Sequence, residues 1–200
     1  MKTLKKKIIA FTSRSLKEYG IHAVRMDYIA RNLSISKRTL YELYTSKENL
    51  IYNCLLTYQS RTINMFQIIR LNFQFVIRYF WAIVKSYIEN LYKAKSVFWL
   101  DVSRSSEYKY IYDSFSRIWS EELKNIIAVC QEEKLVIPNL RADLFAEFLT
   151  TLLYNSRVAE CTPSMLYKSA FFMVRGILTQ SGIDKFDYIS LEETTVLRGF

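Results

Sequence analysis

The chain has 200 residues, of which half are apolar and 24% are charged, so it can bury a core and intrinsic disorder is not expected. Its three cysteines are widely spaced and its only histidine is His22, so we expect no disulfide framework, no metal and no cofactor. No apolar h-region follows the N-terminal lysines, and no uncharged run approaches the ~18 residues that span a bilayer. We therefore expect a cytoplasmic protein rather than a membrane protein.

The net charge of +9 is concentrated in the first quarter of the chain. Residues 1–50 contain 11 Lys/Arg and 4 Asp/Glu, whereas residues 51–200 contain 17 and 15. Such a basic segment suits DNA or an anionic membrane. On charge alone, a solvated lysine-rich helix is the simpler interpretation.

The pattern of residues 1–50 predicts four helices. The first spans 2–19 and ends at Gly20, a typical residue to follow a helix C-terminus. A short second helix over 26–33 is followed by the turn Ser34-Ile35-Ser36, and Ser36 can cap a third helix from Lys37 to about Tyr44. Ser46 is placed to cap a fourth helix that continues into the sixties.

The remaining sequence predicts further helices and no strand of any length, so the fold class is all-α with about nine helices. Apolar residues recur at helical spacing over about 68–94, 96–103, 107–134, 141–159 and 163–181. The apolar stripe of the predicted helix over 68–94 includes Phe73. Gly182 is expected to end the predicted helix over 163–181, and the tail from Lys185 onward shows no clear period.

Two short helices joined by a tight turn, with a basic and polar second helix, indicate a helix-turn-helix over about 25–44. The second helix must enter a DNA major groove, which is about 12 Å wide, with donors on its outer face and apolar anchors behind. Leu40 and Tyr44 are the expected anchors. The expected outward residues of this helix are Lys37, Arg38, Thr39, Tyr41 and Glu42.

The same segment resembles the TetR/AcrR family of transcriptional regulators. The resemblance rests on four elements in order and at the family's spacing: Gly20 after helix 1, Ile29-Ala30 in helix 2, Thr39-Leu40-Tyr41 in helix 3, and Ser46-Lys47-Glu48-Asn49-Leu50 opening helix 4. It implies a DNA-binding domain over residues 1–55 and a helical effector-binding and dimerisation domain over residues 56–200.

By position in the family motif, the resemblance assigns roles to individual residues. Lys37, Arg38 and Thr39 are implied to face the groove, and Tyr41 and Lys47 to contact phosphates. The remaining candidates for the DNA-binding site are Arg25, which can reach a phosphate, and the cap residue Ser36.

Four positions depart from the family pattern. Ser34 replaces the usual turn glycine and has to tolerate a left-handed or otherwise strained backbone, while Arg25 replaces the usual threonine cap of helix 2 and caps nothing. Leu43 replaces a usual His or Tyr, which puts a DNA contact there in doubt, and Tyr44 replaces a core Phe.

Aromatic residues are concentrated in residues 70–119, which include all three tryptophans. They indicate either a pocket for a small apolar or aromatic effector or an ordinary aromatic core. The candidate pocket residues are Phe80, Trp81, Trp99, Tyr112, Phe115 and Trp119. Charges that can orient a ligand are Arg78, Lys85, Asp101 and Arg104.

The family resemblance implies homodimerisation through the helices at about 141–159 and 163–181, although one face can instead pack only within the chain. The resulting hypothesis is a ligand-responsive repressor that binds a near-palindromic double-stranded DNA operator as a dimer. A basic helical protein that binds a membrane surface or a protein partner is the alternative. An enzyme is not expected, because no nucleophile motif, metal cluster or phosphate loop is present.

Overall fold

The computed structural model describes residues 2–72 and 75–197, apart from the side chains of residues 107 and 190–197. Within these residues the regular elements are ten α-helices and one 3₁₀ turn, which confirms the all-α prediction and adds one helix to it. The helices are α1 Lys2–Tyr19, α2 Met26–Asn32, α3 Lys37–Leu43, α4 Lys47–Asn72, α5 Val76–Tyr92, α6 Ser96–Arg104, α7 Lys109–Glu132, α8 Ala142–Val158, α9 Pro163–Gly176 and α10 Gln180–Leu197; the 3₁₀ turn is Ser106–Tyr108.

The chain divides into two compact units, and the first comprises Met1–Asn64 and Tyr92–Phe115. Ile8, Ile29, Leu40 and Leu50 are almost fully buried and bring the first four helices onto one core. Val102 of α6 belongs to the same core. The first unit therefore combines α1, α2, α3 and most of α4 with α6 and the start of α7.

The second unit comprises Met65–Leu91 and Ser116–Phe200. Its core is rich in large side chains, and Phe80, Tyr87, Trp119 and Phe186 are fully buried. The Tyr87 hydroxyl donates to the backbone carbonyl of Thr150 at 2.9 Å, which satisfies a polar group that burial would otherwise penalise. This unit thus has a packed interior of its own.

Cys54 and Cys130 are buried free thiols. Burial raises the pKa of Cys54 to about 11 and that of Cys130 to about 12. None of the described helices is both long and apolar enough to cross a membrane.

The boundary between α4 and α5 differs from the prediction of one helix over 68–94. The fourth helix continues to Asn72, and α5 begins at Val76. The carbonyl of Phe75 accepts the N–H groups of Arg78 and Tyr79, so it starts a new helix. Residues 73 and 74, including Phe73 of the predicted stripe, lie outside the described residues.

The predicted helix over 163–181 is wrong at its C-terminal end, because α9 ends at Gly176. The residues after Gly176 leave the helix, and their backbone pairs with residues 135–137 instead. The N–H of Ile137 donates to Ile177 at 3.0 Å, and the N–H of Thr179 donates to Leu135 at 2.9 Å. These bonds join residues about forty positions apart, which a local period cannot reveal.

The prediction for the tail is also wrong, since residues 185–197 belong to α10. Gly182 does not close a helix but lies in the first turn of α10. A Cβ at this position would lie 2.1 Å from the carbonyl oxygen of Leu135. The glycine is therefore required by close backbone packing and not by a helix end.

Candidate DNA-binding surface

The turn between α2 and α3 is closed by backbone hydrogen bonds around Ser34. This residue has φ +52°, so the expected left-handed backbone at the position of the family's glycine is confirmed. The N–H of Ser34 donates to Arg31 and that of Ile35 to Ala30, at 3.1 and 3.0 Å. The turn therefore leads directly from the end of α2 to the start of α3.

The start of α3 is capped as the sequence predicted. The hydroxyl oxygen of Ser36 accepts the backbone N–H of Thr39 at 2.9 Å, which satisfies one of the helix's unpaired donors. The two hydroxyls of Ser36 and Thr39 also form a hydrogen bond at 2.8 Å. Thr39 is half-buried, so its side chain supports the cap while lying at the edge of the outer face.

The third helix has a buried face and an exposed face. Leu40 is fully buried and Tyr44, directly after the helix, is 4% exposed, which confirms both as anchors. Lys37, Arg38 and Tyr41 are exposed, and Tyr41 keeps 47% of its accessible surface. The residues predicted to face a groove therefore share the exposed side of a helix whose other side is fixed in the core.

Two ion pairs orient the basic side chains of α3. The ammonium of Lys37 lies 2.5 Å from Asp27 of α2, and the guanidinium of Arg38 lies 2.9 Å from Glu42 one turn later. All four side chains are more than half exposed, so these pairs contribute little to stability. They do explain how two adjacent cations are accommodated at a helix N-terminus, where the helix dipole disfavours positive charge.

The lysine cluster at the start of α1 extends the basic surface. Lys2, Lys5, Lys6 and Lys7 are all exposed, and α1 has no acidic residue in its first turn. The ammonium of Lys5 lies 5.9 Å from the ring centroid of Tyr44, within the range of a cation–π contact. This contact places part of the cluster beside the C-terminal end of α3.

Arg25 is exposed and occupies the position before α2, where its side chain makes no capping hydrogen bond, as expected from its departure from the family pattern.

Lys47 was expected to reach outward to a phosphate. Instead its ammonium donates to the backbone carbonyl of Ile21 at 2.6 Å. Ser46 caps α4 as predicted, accepting the N–H of Asn49 at 3.1 Å. The phosphate contact of Lys47 stays a prediction.

Comparison with known proteins agrees with this geometry. Residues 8–53 match the model of the bacterial regulatory proteins of the tetR family. Residues 8–53 therefore form a tetR-type regulatory domain. Transcriptional regulation through DNA binding is the role that accompanies this domain. No curated protein sequence matches the chain.

Solved structures resemble nearly the whole chain, and at these low identities the resemblance shows the fold alone. A transcriptional regulator from Saccharomonospora viridis, solved in complex with choline, is 15% identical with a TM-score of 0.76, over 90% of this chain and 100% of its own. A TetR-family regulator from Agrobacterium tumefaciens is 10% identical with a TM-score of 0.75, over 89% and 99%. A TetR regulator from Haloarcula marismortui is 17% identical with a TM-score of 0.72, over 90% and 100%.

The six candidate pocket residues are divided between the two units. Trp99, Tyr112 and Phe115 belong to the first unit, where Trp99 and Phe115 pack with ring centroids 4.9 Å apart. Phe80, Trp81 and Trp119 belong to the second unit. All except Tyr112 are buried.

The three pocket candidates of the second unit pack against other residues of that unit. Trp119 lies 4.9 Å from Phe66 and 5.2 Å from Tyr87, and Trp81 lies 5.3 Å from Phe186, measured between ring centroids. These contacts account for the burial of the tryptophans as core residues. A role for the six in effector binding stays a prediction.

Sequence reasoning missed a polar cluster in the second unit. The hydroxyl of Tyr79 and the guanidinium of Arg70 both donate to Oε1 of Glu122, the latter at 2.8 Å. Burial, followed by the hydrogen bond to Glu122, raises the pKa of Tyr79 to about 12. Glu122 is 52 residues from Arg70 and 43 from Tyr79, so no local pattern could have indicated the cluster.

Asp101, a candidate charge for orienting a ligand, lies on α6, and its carboxylate contacts the loop that follows α1. Its Oδ2 accepts the backbone N–H of Ile21 at 2.6 Å and that of His22 at 3.2 Å. The sequence contains no signal for this contact, because eighty residues separate the partners. Within the described residues, no group of His, Cys, Asp or Glu side chains is arranged to hold a metal ion.

Proposed function

We propose that the chain is a homodimeric, ligand-responsive repressor that binds a near-palindromic operator through α3. The observation that carries the proposal is the division of α3 into a buried face, anchored by Leu40, and an exposed face with Lys37, Arg38 and Tyr41. A helix held in this way can enter a major groove without losing its support.

Each exposed residue has a specific role in this proposal. Arg38 reads a base edge, since a guanidinium can bind guanine O6 and N7 with two hydrogen bonds. Tyr41 and Lys47 contact phosphates, and the lysines at the start of α1 add affinity that does not depend on sequence. Arg25 lies just before α2 and contacts a neighbouring phosphate.

The proposed dimer uses α8 and α9, the helices that correspond to predicted segments 141–159 and 163–181. Leu144 and Phe148 are more than half exposed and lie one turn apart on α8. Met165 and Phe172 are also more than half exposed and lie two turns apart on α9. Each helix therefore presents large apolar side chains that a second copy would cover in a four-helix interface.

The effector is proposed to be a small apolar or aromatic molecule bound by the aromatic residues of 70–119. The choline complex of the Saccharomonospora viridis neighbour supports small-molecule binding by a protein of this fold. A molecule that weakens DNA binding has to prefer the DNA-free state, and by linkage DNA weakens its binding by the same factor. A DNA-associated location in the cytoplasm belongs to the same proposal.

The lysine-rich start of α1 also permits binding to an anionic membrane, so the test includes both partners. The full chain is mixed with the DNA upstream of its own gene in a gel shift, and with phosphatidylglycerol-containing vesicles in a co-sedimentation assay. We expect a discrete, salt-sensitive DNA complex that survives excess unrelated DNA, together with weak vesicle binding. Strong vesicle binding without a specific DNA complex would favour the membrane alternative.

Arg38→Ala tests base reading in the same gel shift. Removing a two-bonded guanine contact costs about 1–3 kcal/mol of discrimination, so the variant should bind the upstream DNA more weakly but unrelated DNA almost as well as the wild type. Equal losses on both DNAs would assign Arg38 to phosphate binding instead.

A further inference from the structure

Helix α6 is joined to the loop after α1 through Asp101. Its single oxygen Oδ2 accepts two consecutive backbone N–H groups, those of Ile21 and His22. Hydrogen bonds to an ionised acceptor are stronger than those between neutral groups. The carboxylate thus fixes the direction of a loop that has no regular secondary structure.

Gly20 permits this close approach for two separate reasons. Its φ of +83° is a conformation that favours glycine, and a Cβ there would lie 2.5 Å from Oδ2 of Asp101 and 3.1 Å from Val97. Gly20 therefore follows α1 directly and, because it has no Cβ, also lets α6 pack closely against it.

Further contacts fix α6 to the end of α1. The N–H of Lys95, just before α6, donates to the carbonyl of Lys17 at 2.8 Å, and the Lys95 ammonium pairs with Glu18. The ring of His22 packs against Tyr108 with centroids 5.8 Å apart. Asp101 is therefore one of several contacts within the first unit that join α6 and its flanking residues to the end of α1 and the loop after it.

The same loop is held from the other side by Lys47. The ammonium of Lys47 donates to the carbonyl of Ile21, the residue whose N–H is bound by Asp101. Lys47 is the first residue of α4, and α3 ends at Leu43. Residue Ile21 thus connects Asp101 on α6 to the corner between α3 and α4.

We propose that Asp101 is a positioning residue for DNA binding, which fixes the orientation of α3 through the Ile21 backbone and Lys47 without touching DNA. This inference rests on the proposed binding of DNA through α3. Without the carboxylate, two N–H groups lose their acceptor and the loop after α1 is held by Lys47 alone. The α3–α4 corner then loses its fixed connection to α6. The free protein then samples orientations of α3 that do not fit the groove.

The test compares Asp101→Ala with Asp113→Ala in a fluorescence anisotropy titration of upstream DNA. Asp113 is a suitable control because it lies in the same unit and pairs with Lys109. Both substitutions remove one negative charge, which by itself should slightly strengthen binding to a polyanion. A loss of affinity confined to Asp101→Ala therefore cannot come from the change in net charge.

We expect Asp101→Ala to weaken operator binding about fivefold or more, as for the loss of an acceptor by partly buried donors. Asp101→Asn keeps an acceptor oxygen, so it should recover part of the affinity and should remain folded if the alanine variant does not. The slope of log Kd against log salt should stay that of the wild type, because no phosphate contact is lost. Amide hydrogen exchange at Ile21 and His22 should become faster.

Wild-type affinity in folded Asp101→Ala and Asp101→Asn would overturn the inference and leave the proposed function intact, even if their melting temperatures fell. A reduced salt slope in Asp101→Ala would also overturn it, because lost phosphate contacts would then explain the weaker binding. Failure of the wild type to bind any DNA would overturn the proposed function together with the inference.

Discussion

Two serines in the turn between α2 and α3 have opposite backbone requirements. Ser34 has φ +52°, a conformation that costs roughly 1–2 kcal/mol for a residue with a Cβ. Ser36 has an extended backbone and uses its hydroxyl to cap α3. The same replacement by glycine should therefore act in opposite directions at the two positions.

Ser34→Gly should raise the free energy of unfolding by about 0.5 kcal/mol, since relief of the left-handed strain exceeds glycine's greater backbone entropy in the unfolded chain. Ser36→Gly should lower it by a few tenths of a kcal/mol, because the cap is lost. Urea denaturation monitored by circular dichroism measures both. A lower midpoint for Ser34→Gly would contradict the assigned backbone conformation.

The break between α9 and α10 is determined by tertiary contacts rather than by a local helix-stop residue. Gly176 ends α9 and a Cβ there would meet nothing within 4 Å, whereas Gly182 packs against the Leu135 backbone. The two glycines therefore have different reasons to be glycine, although both lie near the same break.

Gly182→Ala should destabilise the protein by about 1–3 kcal/mol, as expected for overpacking a site enclosed by backbone. Gly176→Ala should be neutral or stabilise it by up to about 1 kcal/mol, because alanine is the better helix former. Thermal unfolding distinguishes them, with a shift of roughly 2–4 °C per kcal/mol at this chain length. Similar melting temperatures for the two variants would contradict the close packing at Gly182.

Predictability from sequence also varies from element to element. The end of α1 and the starts of α3 and α4 were predictable because Gly20, Ser36 and Ser46 signal them within a few residues. The end of α9 was not, since bonds to residues 135–137 define it. For the same reason, the outer face of α3 was predictable, whereas the contacts of Asp101 and Lys47 with Ile21 were not.

For the whole molecule, the proposed repressor requires two copies of α3 on one duplex. A dimer through α8 and α9 supplies them, and joining two DNA-binding domains raises affinity well beyond that of one. The apolar residues exposed on α8 and α9 are therefore expected to affect DNA binding without being part of the DNA-binding surface.

Phe148→Glu should convert the dimer to a monomer, because it places a charge in the apolar interface. Phe75→Glu is the matched control, since both phenylalanines are 59% exposed but Phe75 lies outside α8 and α9. Sedimentation velocity measures the oligomeric state. In a DNA titration, the monomer should bind about 100-fold more weakly. A dimeric Phe148→Glu protein would exclude an interface centred on this residue.

The presentation of α3 to DNA is tested most directly by the affinity of Tyr41→Ala for upstream DNA between 50 and 200 mM salt (about the range in which phosphate contacts matter most). Tyr188→Ala serves as the control, because Tyr188 is also an exposed tyrosine but lies on α10. We predict that wild-type affinity falls steeply with salt, that Tyr41→Ala binds at least about tenfold more weakly, and that Tyr188→Ala matches the wild type. Unchanged affinity in Tyr41→Ala would show that the exposed face of α3 does not meet the duplex.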